Sequence, residues 1–477
     1  LPVYPMMLED LLDYSLNCSN RTQRNTWLGR KLFSENFLRV DSASYSLVVD
    51  PAIHLSVGKQ TGYAPSLYEN TRGIRLSGNL HRKLFFSSEL YETQSVLPSY
   101  LDAFADSFEV APGVMRSKEF KDYGRDYASA YGSLVWVPSS KFQLWFARDK
   151  LHFGHGYRSV LLSHNAPAST FIRASYSKPK WSYHYILASM QNVSLKNIIP
   201  VPQSSMGGYQ NKYAGFLIVS LHPTEFLEFS LFESIIWAPH NDKYNSLHTK
   251  HFNPLLFSRT LWYGLNNENN TMTGVQMSFT IPHRFKFYGQ YALDDIGSMK
   301  KTAAQAGMEV SYPFHFFAVR AGLEYNSSGA YFGAHSNPLQ SFSHFHHSLT
   351  HPLGGNYREF LGRVSITDRR FMCFGVLSFV QGAPDSQYEI NGQSVYSNPS
   401  AVNWAGGWWP KLTTKSASML YADMRIHYLL NGKNKLNVFV QGVYRKTVNT
   451  ALPGKSIELH TGISTNLRYF SKNISWL

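Results

Sequence analysis

From Ile457 the chain alternates strictly. Ile457, Leu459, Thr461, Ile463, Thr465, Leu467 and Tyr469 take the odd positions, and Glu458, His460, Gly462, Ser464, Asn466 and Arg468 the even ones. Successive side chains of a strand point to opposite sides, so this is a long strand with one apolar and one polar face. Thr273–Ile281 repeats the pattern, with Val275, Met277, Phe279 and Ile281 set against Gly274, Gln276, Ser278 and Thr280. Leu420–Tyr428 and Leu436–Tyr444 do the same. The same reading predicts strands near 45–58, 73–80, 84–92, 127–138, 142–148, 170–176, 181–190, 213–222 and 226–237. Others fall near 259–265, 284–294, 304–313, 315–325, 358–368 and 370–381. The total is roughly 18 to 20, and many have the ~10 residues that cross a bilayer when tilted.

Short turns join neighbours at Val137–Ser140, Ile281–His283 and Tyr312–His315, while longer segments at 93–126, 191–212, 238–258, 326–357 and 382–416 separate the pairs. Short turns on one rim and long loops on the other predict an all-β fold, a transmembrane antiparallel β-barrel of about 18 strands. The long loops are expected to face the cell exterior. Tyr91, Trp136, Trp181, Trp237, Trp262, Tyr263 and Tyr428 sit at strand ends, where an interfacial girdle would lie. The barrel is expected over 45–470, with a tail at 471–477. The segment 1–44 is read as periplasmic and partly helical, because Met7, Leu8, Leu11, Leu12 and Tyr14 share one helical face. That face suits packing on the barrel mouth better than a partner-binding helix.

Composition decides between this barrel and a soluble sandwich or propeller. Only 16% of the 477 residues are charged and 15% are aromatic, whereas a soluble domain carries roughly a quarter charged residues. No fixed repeat of a propeller-blade length is visible. No apolar run is long enough for a membrane helix. No leader-like stretch opens the chain, which leaves a removed leader and none at all as equal readings. Two cysteines, Cys18 and Cys373, exclude a disulfide framework and a Cys-based zinc site, with a single bridge left open.

A charge facing lipid at mid-membrane costs ~2–4 kcal/mol, so charged residues on the polar strand faces must line the interior. Alternation assigns Arg75, Arg173, Glu228, Glu309, Arg320, Glu324, Arg363, Asp423, Arg425, Arg445 and Arg468 to the lumen. They would interlock as a plug or line an aqueous pore. The net charge of +14 suits an anionic setting such as lipopolysaccharide or acidic polysaccharide. Its scatter along the chain excludes a nucleic-acid stripe.

Several short motifs recur in a fixed order. Asn70-Thr71-Arg72-Gly73 precedes a strand. It is followed by Gly154-His155-Gly156-Tyr157-Arg158, Asn253-Pro254, and His351-Pro352-Leu353-Gly354-Gly355-Asn356-Tyr357-Arg358-Glu359. This ordered set resembles the Wzi-like capsule-assembly and gliding-motility RemB family of Bacteroidota outer-membrane barrels, over about residues 45 to 470. The resemblance implies an outer-membrane barrel of about 18 strands, largely blocked. It also implies binding of surface polysaccharide, or a place as accessory subunit of a secretion or assembly complex. Asn70, Arg72, Gly73, Gly154, Gly156, Arg158, Asn253, Pro254, His351, Pro352, Gly354, Asn356, Arg358 and Glu359 carry it.

The remaining chemistry is sparse. His344, His346, His347 and His351 have the spacing of zinc or copper ligands. With no Cys, Asp or Glu within the run, a solvated loop that protonates at mildly acid pH is the expected reading. Gly154–Arg158 lacks the lysine and strand–loop–helix setting of a phosphate loop, so a tight barrel turn with Arg158 pointing inward is expected. No enzyme signature is present, and no cofactor is implied. Trp404, Trp408 and Trp409 lie in the 382–416 loop and suit sugar or partner contact as well as the bilayer girdle. The sequence thus points to a non-enzymatic outer-membrane barrel acting through loops and lumen. The alternative is a diffusion channel for small anionic solutes.

Overall fold

The structure, a computed structural model, describes residues 25–193, 209–238, 252–263, 269–281, 285–294, 301–314, 316–385, 390–397, 410, 412, 416–450 and 454–465. A short helix, α1 (Trp27–Phe33), leads into β1 (Leu38–Asp41), β2 (Tyr45–Gln60), β3 (Leu67–Leu80) and β4 (Leu84–Val96). Helix α2 (Ser99–Phe108) and β5 (Lys118–Phe120) precede β6 (Gly124–Ser139), β7 (Phe142–Asp149), β8 (Ser169–Lys178), β9 (Trp181–Val193), β10 (Tyr209–Leu221) and β11 (Leu227–Trp237). After α3 (Ser258–Tyr263) come β12 (Asn270–Ile281), β13 (Phe285–Leu293), β14 (Thr302–Pro313) and β15 (Ala318–Ser328). The tiny pair β16 (Ser343–His344) and β17 (His347–Ser348) stands apart. Then follow β18 (Tyr357–Asp368), β19 (Phe371–Gly382), β20 (Ala417–Asn431), β21 (Leu436–Val448) and β22 (Gly454–Ser464).

Apart from β1 and β5, short flanking strands, the members of the large sheet form a closed antiparallel barrel of 18 strands. Each pairs with its sequence neighbours, and β22 returns to β2 with Glu458 opposite Gln60 and Ser464 opposite His54. Closure leaves no free edge, as a bilayer requires. One rim carries the connections 81–83, 140–141, 179–180, 222–226, 282–284, 314–317, 369–370 and 432–435. At the other rim end the strands that are separated in sequence by 97–123, 150–168, 194–208, 238–269, 294–301, 329–356 and 383–416, and by the shorter intervals 61–66 and 449–453.

The alternation read from sequence sets the two faces. Val275, Met277, Phe279 and Ile281 are exposed on the outer wall, as are Met424, Ile426, Leu459 and Ile463. Their neighbours Gln276, Ser278, Asp423, His427, Glu458 and His460 are buried inside. Among the described residues one expected strand is absent. The stretch near 259–265 contains α3, whose start is capped by Glu233: Thr260 N donates to Oε1 at 2.9 Å. The short stretch Leu261-Trp262-Tyr263 fits either state, and tertiary capping chose the helix.

At the short-turn rim, α1 is tied to the β20–β21 turn. Asn431 and Asn434 each donate a side-chain hydrogen bond to Lys31 O at 2.9 Å. This helix lies beyond the Met7–Tyr14 face expected to be helical, which is outside the described residues.

Candidate functional site

The loop 150–168 does not make a tight turn; it enters the barrel. Phe153, Leu161 and Leu162 are buried against the inward side chains Phe171, Ile186, Phe216, Phe232 and Met272. Phe332, Phe342 and Leu349 from the 329–356 loop complete this internal core. Where the plug meets β10 the strand is therefore apolar on both faces, which explains the continuous apolar run Phe216–Val219. Two glycines make the entry possible. Gly154 has φ +146°, and a Cβ there would lie 2.5 Å from Gln290 Nε2. A Cβ on Gly156 would lie 2.7 Å from Gln305 Nε2.

Polar wall residues hold the plug. Gln290 accepts from Ser159 Oγ and Val160 N, each at 3.0 Å, and donates to Phe153 O at 3.0 Å. Glu324 accepts from the backbone N–H groups of Tyr157 and Arg158 and from Tyr288 Oη. Arg158 Nη2 lies 3.3 Å from Glu359 Oε1. Glu359 is 0% exposed, and its oxygens also meet His351 Nε2 at 2.6 Å, Asn326 Nδ2 at 3.1 Å and Ser378 Oγ at 2.6 Å. A buried ion pair persists where the remaining lone pairs are satisfied, as here. Glycines 154 and 156, Arg158, His351 and Glu359, scattered in sequence, thus converge on one latch.

The other motif residues lie elsewhere. Asn70 and Arg72 project from the outer side of β3, where Arg72 stands opposite Glu92 in register, and Gly73 lies between strands. Arg358 is exposed and donates to Gln381 Oε1 at 2.8 Å. Pro352, Gly354 (φ +73°) and Asn356 shape the bend before β18, with Asn356 Nδ2 donating to Asn391 O at 2.9 Å. Asn253 and Pro254 lie along the outer wall, where Tyr183 Oη donates to Pro254 O. That part of the 238–258 segment leaves the long-loop rim instead of standing above it.

Of the lumen candidates, Arg468 lies outside the described residues, as do Trp404, Trp408 and Trp409. The others all face inward. Arg75 Nε is 3.1 Å from Glu89, and Arg320 Nε is 3.3 Å from Glu309, which also binds Arg363. Glu228 meets His155 Nε2 at 3.1 Å, and Lys286 Nζ donates to His155 Nδ1 at 2.7 Å. Arg173 lies over the Trp145 ring and 3.1 Å from His184 Nδ1. Asp423 accepts from Gln441 at 2.8 Å, with Arg425 Nε at 3.9 Å. Arg445 stacks on Tyr100 of α2 at 4.5 Å. Helix α2 is fixed over the mouth by Gln60, which bonds Ser99 twice, and by Arg125 with Asp102 at 2.9 Å.

The histidine run is buried, which overturns the solvated-loop reading. Gln191 N donates to His344 Nδ1 and Gly113 N to His347 Nε2, each at 2.9 Å. His346 is stacked between Phe108 and Tyr396. Burial pushes His344 and His346 down to about 3 and His347 to about 4, so all three imidazoles are neutral. Each ring points at its own partner, and among the described residues no group of three His, Cys, Asp or Glu is placed to hold a metal ion. Cys373 is a free thiol on the outer wall, and Cys18 lies outside the described residues.

No protein-family model and no curated protein sequence matches the chain. Among solved structures it is similar to Wzi, an outer-membrane protein involved in group 1 capsule assembly in Escherichia coli, described as a carbohydrate-binding β-barrel. Identity is 13% over 87% of this chain and 84% of Wzi, with a TM-score of 0.54. The chain shares the fold of this barrel: a closed antiparallel β-barrel of 18 strands. OprD of Pseudomonas aeruginosa is similar at 10% identity, over 90% of this chain and 98% of that one, with a TM-score of 0.45. OccD3 (OpdP) of Pseudomonas aeruginosa follows at 10% identity, 90% and 92% coverage and 0.44.

The latch was not legible in the sequence, because its two charges are 201 residues apart. Plug loop 150–168 was missed for a related reason. Its apolar residues have no strand period and gave no signal of their own.

Proposed function

We propose that this chain is a non-enzymatic, plugged barrel that holds surface polysaccharide through its extracellular loops. The observation that carries the reading is the latch: a loop threaded into the lumen and fixed there by Arg158 and Glu359. A pore has no use for such an obstruction, whereas a surface anchor gains rigid loops from it. The Wzi-like fold, known there in a carbohydrate-binding barrel, agrees with this reading. The anion-channel alternative needs arginines free to attract solute. Arg75, Arg158, Arg320, Arg363 and Arg425 instead stand beside carboxylates.

A second reading is an accessory subunit of a gliding or export assembly, as in the RemB-type barrels of Bacteroidota. It is favoured by α1, which leaves Trp27 and Leu28 exposed at the short-turn rim. Conductance across planar bilayers and retention of polysaccharide by cells lacking the protein test the first reading together. Silent bilayers with lost retention are expected. Steady anion-selective conductance with normal retention would replace the anchor by the channel.

A further inference from the structure

The residues 252–263 form a ridge on the outer wall of β9–β12. Glu233 points outward from β11, yet it is 0% exposed, because Phe257 N, Thr260 N and Thr260 Oγ1 all donate to it at 2.8 to 2.9 Å. Leu217 and Ile235 also point outward and are fully buried, while Leu323 and Leu377 on other sectors stand open. Glu233 is six residues (233 − 227) from the short-turn end of its strand. At ~3.3 Å per residue and a tilt near 40°, that is about 15 Å up, close to the middle of a ~25 Å apolar band.

Hydrocarbon tolerates irregular backbone only where protein covers it. The barrel covers the inner side of the ridge. The outer side presents Leu255 and Leu261, 65% and 82% exposed. Whatever covers it is therefore apolar and embedded in the membrane.

The same chain carries the complementary shape. On the outer wall of β14–β22, Gly362, Gly375, Ala422 and Gly442 replace the larger residues found elsewhere and leave a groove of about 910 Å³. Leu323 and Leu459 flank it. Gly362 and Gly442 each lie six residues from the short-turn ends of their strands (368 − 362 and 442 − 436), the depth of Glu233. Among the described residues the outer wall thus carries a ridge and a groove at equal depth, the one able to fill the other. We propose that copies of this chain pack side by side in the membrane, the 252–263 ridge of one seated in the β14–β22 groove of the next. Ridge and groove occupy different sectors, so the contact runs head to tail and builds rows or rings, not a closed pair.

Native Cys373 lines the groove and supplies the test. The variant C18S/L261C is treated in isolated outer membranes with bismaleimidohexane, which enters the bilayer. A ladder of dimers and higher oligomers is expected, absent from C18S alone and from C18S/L261C/C373S. Monomer alone in a correctly folded, heat-modifiable barrel would overturn the proposal. So would a cross-link that survives C373S, which means ridge against ridge, or an adduct whose mass belongs to another protein. If L261C fails to fold, L255C repeats the test from the other end of the ridge.

Discussion

Arg158 and Glu359 meet inside the barrel with Nη2 3.3 Å from Oε1, one on a loop that has no secondary structure of its own and the other on the wall. Neither has water to fall back on. Removing one partner of such a pair leaves a bare buried charge, whereas removing both leaves a packing problem only.

Glu359→Gln should therefore destabilise the plug by about 3–5 kcal/mol, the range for breaking a buried pair. Arg158→Met with Glu359→Leu should cost less than the single change. The readings are protease access to the 150–168 loop and transient conductance steps in planar bilayers. Equal protection in E359Q and the native protein would show the latch to be dispensable.

The two faces of the wall predict opposite responses to charge. Arg363→Glu places a carboxylate beside Glu309 inside the lumen, so it should lower the unfolding temperature while insertion continues. Met424→Glu puts a carboxylate on the lipid side, at a cost of up to ~2 to 4 kcal/mol, and should impair insertion. Heat-modifiable gel mobility separates the two. Insertion failure in R363E with normal insertion of M424E would mean a strand phase shifted by one residue.

Acid should loosen the mouth. His346 and His347 accept protons only near pH 3 and 4 while the 329–356 loop is docked, because burial disfavours the charged ring. Undocked, they take them up near pH 6.5. The undocked loop thus binds more protons in between, so docking is undiminished above about pH 6.5. It weakens as the pH falls toward 4, by about 1.4 kcal/mol per pH unit for each ring. Hydrogen exchange of this loop between pH 7.5 and 4.5 should show the loss, and H346F/H347Q should make it shallower, with His344 supplying the remainder. Protection that ignores pH in the native chain would refute the account.

Trp404, Trp408 and Trp409 fall within one long connection, and replacing all three with Ala should remove several kcal/mol of contact if they are central anchors. The barrel should still fold, since its strand ladder closes without them. Retention of both glycan and partners by a folded triple mutant would assign these rings to the bilayer girdle.

The wall was legible because its rule is local. A side chain's face follows from its neighbours, so Arg363 and Arg425 could be placed inward by alternation alone. The same rule misled at 259–265, where the chain forms a short helix that Thr260 fastens to Glu233. It was silent on the plug, since Gln290, Glu324 and Glu359 read as ordinary lumen residues until the loop that needs them is in place. The histidines were misjudged for a related reason. Their spacing is visible in sequence, but Phe108, Gly113 and Gln191, which enclose them, arrive from the 97–123 connection and from β9.

The seam between β2 and β22 bears on how the molecule is made. It holds in register only from His54 to Gln60, and the lower part of β2, Ser46–Val49, is paired with β1 instead. Every other strand pair in the wall joins sequence neighbours and costs little loop entropy, while the seam unites residues 410 apart (464 − 54). The sheet should therefore grow hairpin by hairpin and zip at the seam last. The plug lies between β7 and β8, so it is synthesised long before the strand bearing Glu359. The growing sheet must curl around a loop already waiting at its centre, and the short seam fastens a wall whose contents are in place.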